Sequence, residues 1–124
     1  MLINDPETLA QLQKAFAEYE RALVSNDVPT LDRLFWNSPY TLRYGAGENL
    51  YGFDEIQAFR NSRPAKNQER SVLRTAITTF GTDHGVANIE FSRPGSDRIG
   101  RQSQTWVRFA DGWKVVAAHV SLMT

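Results

Sequence analysis

The stretch GRQSQTWVRFADGWKVVAAHVS, residues 100–121, decides the fold class of this chain. It reads with a period of two on both sides of ADG, at 110–112, a turn signal that joins antiparallel strands. The same period is readable upstream, around the turns GTDHG at 81–85 and RPGSD at 93–97. The four predicted strands lie at about 69–80, 84–93, 99–110 and 112–122. Their short connections predict an antiparallel meander, because parallel neighbours would need long crossovers.

The amino-terminal part carries a helical period instead. Five apolar residues recur at alternating spacings of three and four, the stripe of an amphipathic helix: Leu9, Leu12, Phe16, Tyr19 and Leu23. Asp5 before Pro6 is a helix start signal, because aspartate caps free amides and proline fits the first turn. The pattern predicts a helix from Asp5 to about Ser25.

Shorter elements fill the middle of the chain. They are a helix at 29–36, a strand at 39–44, its partner at 49–50 across the turn GAGEN, and a helix at 52–62. Asp27 is the expected cap of the first of these helices. Phe53, Ile56 and Phe59 give the last helix its period, and Pro64 is expected to end it. Three helices followed by a meander predict one α+β domain whose helices cover one face of the sheet.

Composition limits the possible partners. A chain of 124 residues with 14 Lys and Arg against 14 Asp and Glu has no net charge to draw it to nucleic acid or an acidic membrane. The absence of cysteine removes disulfides and thiolate chemistry. His84 and His119 lack the spacing of metal ligands, so neither a metal nor another cofactor is expected. The amino terminus has no long apolar run, and a cytoplasmic protein is the simplest expectation.

The last strand predicts an interface. Both of its sides are apolar, with Trp113, Val115 and Ala117 on one and Val116, Ala118 and Val120 on the other. Helices cover one face of the sheet. The other face is therefore expected to bury against a second subunit, giving a homodimer through the sheet.

Three segments carry a resemblance to a known family: residues 16–36, residues 43–56 and the opening stretch 100–121. Together they resemble the nuclear-transport-factor-like (NTF2-like) or SnoaL-like superfamily. They resemble most closely its AtzH-like family, which includes small proteins of oxalurate catabolism and a dicarboxyurea hydrolase. The ending G-W-K-x-x-x-x-H-x-S is widespread in the superfamily, whereas Y-E-x-A-L and L-R-Y-G are more specific. The resemblance implies one domain over 1–124, with a strongly bent sheet wrapped around helices and a central cone-shaped pocket.

The resemblance also implies that Tyr19, in EYERAL, and Arg43, in LRYG, form a catalytic pair. Tyr19 lies on the apolar stripe of the first helix, so its alternative interpretation is a core aromatic with a satisfied hydroxyl. Arg43 shares a strand face with Thr41. It either binds a carboxylate or carbamate, which we favour, or forms a structural ion pair with a residue such as Glu90.

Further substrate-binding candidates come from the last two strands. Gln104 and Trp106 share one face of the third long strand, and His119 and Ser121 are placed beyond Trp113 on one face of the fourth. An amide, an indole and an imidazole together can orient a small polar substrate. His119 is interpreted as a hydrogen-bonded wall residue rather than a base.

Three functions remain open at this point. The first is a hydrolase of a small anionic ureido or carbamoyl carboxylate that needs no cofactor, with Arg43 binding the carboxylate and Tyr19 assisting proton transfer. Its route is either attack by water or decarboxylative breakdown of a labile carbamate. The second is a non-catalytic accessory protein of the oxalurate pathway that binds a metabolite or a partner enzyme. The third is an isomerase resembling ketosteroid isomerases, with Glu90 as its base.

Overall fold

The structure is a computed structural model that describes residues 1–63 and 68–124. Its helices are α1 (Pro6–Val24), α2 (Val28–Leu34) and α3 (Phe53–Ser62). Asp5 and Asp27 cap the first two as predicted, accepting from the backbone N–H groups of Thr8 at 3.2 Å and Thr30 at 3.3 Å. The predicted stop of α3 at Pro64 lies outside the described residues. None of the described helices has the length and apolar composition of a membrane span.

Six strands form one sheet. They are β1 (Leu42–Tyr44), β2 (Asn49–Tyr51), β3 (Ser71–Phe80), β4 (His84–Ser92), β5 (Gly100–Phe109) and β6 (Gly112–Leu122). Their order is β2-β1-β6-β5-β4-β3, and β3 to β6 form the predicted antiparallel meander. β1 pairs in parallel with β6, so the whole sheet is mixed rather than purely antiparallel. The long chain between these two strands supplies the connection that parallel pairing needs.

The core lies between the three helices and one face of this sheet. α1 contributes the predicted stripe, and β4, β5 and β6 supply the opposing side chains. Its largest fully buried members include Leu12, Leu31, Phe35, Ile56, Phe91, Trp106 and Val115. The helices therefore cover the inner face of a segregated α+β domain, as the period change in the sequence predicts.

A β-bulge in β6 changes which side chains face inward. Thr105 of β5 lies opposite Ala117, but Trp106 lies opposite Val115, so Val116 is an extra residue in the strand. The predicted sides of this strand are therefore wrong beyond the bulge, because one extra residue reverses the alternation. Ala118 is buried, and His119 is exposed on the outer face.

The outer face is consequently more polar than predicted. Beyond the bulge, its β6 row consists of Ala117, His119 and Ser121 rather than valines. On the neighbouring strands Ser103 donates to Asn88 at 2.7 Å, and Glu90 is exposed. The apolar row on which the homodimer was predicted is thus absent from β6. The dimer itself stays a prediction.

Candidate functional site

A small pocket lies between α1, α2, α3 and the β1–β2 hairpin, and we call it the arginine pocket. Its walls are Tyr19, Leu23, Leu31, Arg43, Leu50, Ile56, Phe59, Arg60 and Arg63. The space open to the centre of a water-sized sphere is about 20 Å³. That is room for about one water molecule, so a larger ligand requires side chains in the wall to move.

Tyr19 reaches the arginine pocket from α1. Its side chain is 4% exposed, and its ring packs edge-on against Trp106 with 6.5 Å between ring centres. Phe16 and Phe35 flank the same ring at 6.2 and 6.3 Å. The core thus fixes the ring while the side chain still forms part of the pocket wall, and the catalytic role of Tyr19 stays a prediction.

Arg43 enters the same pocket from β1. Its Nη1 lies 3.5 Å from Oε2 of Glu48, and neither atom has a hydrogen-bond partner among the described residues. Glu48 folds back over Gly45, where a Cβ atom would lie 1.6 Å from the carboxylate oxygen. The alternative partner suggested by the sequence, Glu90, is exposed on β4, where it lies opposite Arg74 and Arg101 in the register of the neighbouring strands. Arg43 therefore has a nearby carboxylate, from a different residue than expected and without a hydrogen bond.

Two further arginines in the pocket were not predicted from the sequence. Arg60 is 7% exposed, and its Nη1 donates to Oδ1 of Asp32 at 2.6 Å. Its guanidinium also lies 4.8 Å from the centre of the Phe35 ring. Burial lowers the pKa of Arg60, and the hydrogen bond to Asp32 opposes that effect. Arg60 is thus held by the fold, with its charge compensated.

Arg63 is in a different situation. Its Nε is buried and has no hydrogen-bond partner in the part of the chain that the structure describes. Burial lowers the pKa of Arg63, and the charges of Arg43 and Arg60 lower it further. A signal for Arg60 was available: it follows Ile56 by four positions, which places it on the apolar face of α3. Arg63 lies just beyond that helix in extended backbone, so helical spacing does not predict its position.

The pocket carries more positive than negative charge. Among the described residues, three guanidinium groups line it, and the carboxylates of Asp32 and Glu48 lie within ion-pair distance of two of them. Arg43 and Arg63 both lie near one aromatic ring, with their guanidinium carbons 5.9 and 6.0 Å from the centre of Phe59. The arrangement favours an anion in this position, because a buried positive charge without a partner is unfavourable.

The other substrate-binding candidates lie elsewhere. Trp106 and Gln104 are buried on the inner face, where the indole Nε1 donates to Oε1 of Gln104 at 3.1 Å. Neither forms part of the arginine pocket wall. His119 and Ser121 are on the opposite face of the sheet because of the bulge, and His119 packs edge-on against Tyr44 at 5.6 Å. Their predicted place beside the pocket is wrong.

A further buried arginine, Arg70, supports α1 next to Tyr19. Arg70, whose side chain is 1% exposed, binds the carboxylate of Glu20 and donates to Oε1 of Gln102 at 3.3 Å. Its guanidinium lies 4.5 Å from the centre of the Phe91 ring. This pair joins the helix residue that follows Tyr19 to the sheet, and so it restrains the orientation of that tyrosine.

The whole chain, residues 1–124, matches the family model described as AtzH-like. The chain belongs to the AtzH-like family. The predicted resemblance is thereby confirmed. No match was found among curated proteins.

Solved structures agree with the AtzH-like assignment. A protein of unknown function from Pectobacterium atrosepticum is 55% identical, with a TM-score of 0.96 over 98% of this chain and 95% of its own. A cystatin-like fold protein from Burkholderia xenovorans is 48% identical, with a TM-score of 0.95 over 100% and 98%. An NTF2-like superfamily protein from Salmonella enterica, 19% identical, has a TM-score of 0.78 over 95% and 92% and shows the shared fold alone. The predicted NTF2-like fold is confirmed.

Proposed function

We propose that this AtzH-like protein hydrolyses a small ureido or carbamoyl carboxylate in the arginine pocket. One observation carries the proposal: Tyr19 and Arg43 form parts of the wall of one small, positively charged pocket. These are the two residues that the family resemblance implies as a catalytic pair. A planar anion with a polar carbonyl group suits a site that combines guanidinium donors with a phenol.

Arg43 binds the anion and stabilises negative charge in this mechanism. Its Nη1 is buried and free of hydrogen bonds to the described residues, so its N–H groups are available to a ligand. Leucine and isoleucine side chains form much of the remaining wall. Their low polarity strengthens the attraction between a guanidinium and a carboxylate or a developing oxyanion.

Tyr19 assists the transfer of a proton. Water adds to the carbamoyl carbon, the carbonyl oxygen takes up negative charge, and the bond from carbon to nitrogen then breaks as the nitrogen receives a proton. A phenol beside that nitrogen can donate the proton and recover it from the attacking water. The ring is fixed between Phe16, Phe35 and Trp106, so its hydroxyl is held in one place.

A second candidate is a non-catalytic protein that binds the same class of metabolite for another enzyme of oxalurate breakdown. The absence of carboxylate and imidazole groups from the described pocket wall favours it, because these are the usual general bases. The isomerase alternative loses its proposed base. Glu90 is exposed on the outer face of β4, across the sheet from the pocket.

The test is Tyr19→Phe, which removes only the hydroxyl. Release of oxamate from oxalurate and of glycine from N-carbamoylglycine should fall about a hundredfold or more, while binding of the intact substrate is retained. Tyr40→Phe is the matched control, since Tyr40 is 80% exposed and outside the pocket wall. Turnover that is unchanged in Tyr19→Phe would remove Tyr19 from the mechanism. Binding without any turnover in the parent would select the non-catalytic candidate.

A further inference from the structure

We propose that the arginine pocket selects a singly charged carboxylate over a doubly charged one, with Arg63 binding the single carboxylate and Glu48 opposing a second one. The inference rests on the proposed function, because it assumes that a small carboxylate enters this pocket. It goes beyond that function by choosing between ureido monocarboxylates and dicarboxylates.

The three arginines of the pocket differ in how their charges are compensated. Arg60 is compensated by Asp32 through a hydrogen bond of 2.6 Å. Arg43 has the Glu48 carboxylate 3.5 Å away. Arg63 is the remaining guanidinium of the wall, and its buried Nε has no partner in the described chain. One negative charge on a ligand therefore completes the balance, whereas two would leave an excess of negative charge in a site with apolar walls.

Arg63 and Arg43 lie near the same aromatic ring of the pocket wall. Both guanidinium groups lie about equally far, at 6.0 and 5.9 Å, from the centre of the Phe59 ring. The space open to the centre of a water-sized sphere, about 20 Å³, is too small for a carboxylic acid, so Phe59 or a neighbouring arginine must shift when a ligand binds. Both arginines line the same pocket, so a carboxylate that enters when Phe59 shifts is attracted by both positive charges.

Glu48 provides the discrimination against a second carboxylate. Its Oε2 is buried, close to Arg43 and without a hydrogen bond from any described residue. A second negative group of a ligand near Arg43 would therefore be repelled at short range by this carboxylate. Gly45 allows this arrangement, since any side chain there would collide with Glu48. The turn GAGE thus holds a negative charge beside the arginine.

Oxamate and oxalate test the proposal, because they have nearly the same shape and differ by one charge at neutral pH. Their dissociation constants are measured by calorimetry on the parent and on Arg63→Gln, Glu48→Gln and Arg74→Gln. Arg74 is the matched control, an exposed arginine on the outer strand β3. The parent should bind oxamate at least tenfold more tightly than oxalate. Arg63→Gln should weaken oxamate at least tenfold, and Arg74→Gln should change neither constant by more than twofold.

Glu48→Gln should reduce or reverse the preference, because it removes the opposing charge. Gly45→Ala serves as a second variant that displaces the same carboxylate without removing it, and it should shift the preference in the same direction. Circular dichroism checks that each variant is folded.

Equal or tighter binding of oxalate by the parent would overturn the proposal, as would an unchanged oxamate constant in Arg63→Gln. Failure of the parent to bind either anion would overturn it too, even if ureido carboxylates were hydrolysed. The expected preference without any hydrolysis would support this inference while the hydrolase proposal failed, so the two failures are distinguishable.

Discussion

Replacing Arg60 and Arg43 in turn by methionine should separate an arginine that holds the fold together from one that is available to a ligand. Arg60 is 7% exposed and bound to Asp32 at 2.6 Å. Breaking a buried ion pair by removing one partner destabilises a protein by about 3–5 kcal/mol, because a charge stays buried alone. Asp32 is 20% exposed and still accepts from Gln57 at 3.1 Å, so we expect the lower end, about 3 kcal/mol.

Arg43→Met should have a much smaller effect. Its partner Glu48 has 27% of its side chain exposed and can turn toward water, and the 3.5 Å contact is not a hydrogen bond. Loss of such a pair lowers the free energy of unfolding by about 1 kcal/mol at most. A domain of 124 residues has an unfolding entropy of about 0.26 kcal/mol per kelvin, so the expected falls in Tm are about 11 °C for Arg60→Met and at most about 4 °C for Arg43→Met.

Thermal unfolding followed by circular dichroism, with and without oxamate, measures both effects. The ligand should raise the Tm of the parent and of a folded Arg60 variant, and should leave Arg43→Met unchanged. Equal losses of Tm in the two variants without ligand would refute the reasoning, because Arg43 would then be a structural residue like Arg60. Stabilisation of Arg43→Met by the ligand would refute the anion-binding role directly.

Arg43→Lys should weaken carboxylate binding at least about tenfold by calorimetry, because lysine cannot supply two parallel donors; retained affinity would contradict paired contacts. The pKa of Asp27 is lowered by its hydrogen bonds with Thr30 and Arg21. The ionised carboxylate therefore stabilises the fold at pH values above its unfolded pKa, which is about 3.9, and this stabilisation is lost as the pH falls through the lower pKa of the folded state. Asp27→Asn should therefore lose less Tm than the parent between pH 5 and pH 3, and identical losses would exclude a role for this carboxylate. If copies of the chain pair through the outer face of the sheet, Ala117→Glu should convert a dimer to a monomer in sedimentation, whereas a monomeric parent would rule out the homodimer.

Local periodicity explains why most of the fold was predictable. The stripe from Leu9 to Leu23 and the turns between the long strands each depend on nearby residues, and the structure contains the corresponding helix and meander. The bulge at Val116 was not predictable in this way, since it depends on the register between two strands and no residue type requires it. That one extra residue moved His119 and Ser121 to the outer face.

The site was predictable only in part for a related reason. Family segments pointed to Tyr19 and Arg43, and the fold brings both into one pocket. Arg60 and Arg63 were overlooked because charged residues at the end of a helix are usually solvated. Their burial depends on Asp32, on aromatic rings and on the closeness of β1, which are contacts between distant parts of the chain.

The parallel pairing of β1 with β6 has a consequence for how the protein is made. Arg43 lies in register with Ala118, roughly 75 positions later in the chain. During translation, therefore, the pocket residues Tyr19, Arg43, Arg60 and Arg63 are synthesised long before β6, the strand that supports β1. β1 has only three residues and cannot hold its position by hairpin contacts with β2 alone. The pocket therefore forms late in folding. A nascent chain that stops before β6 would contain all the described residues of the pocket wall, but β1 would lack the strand that holds Arg43 in position.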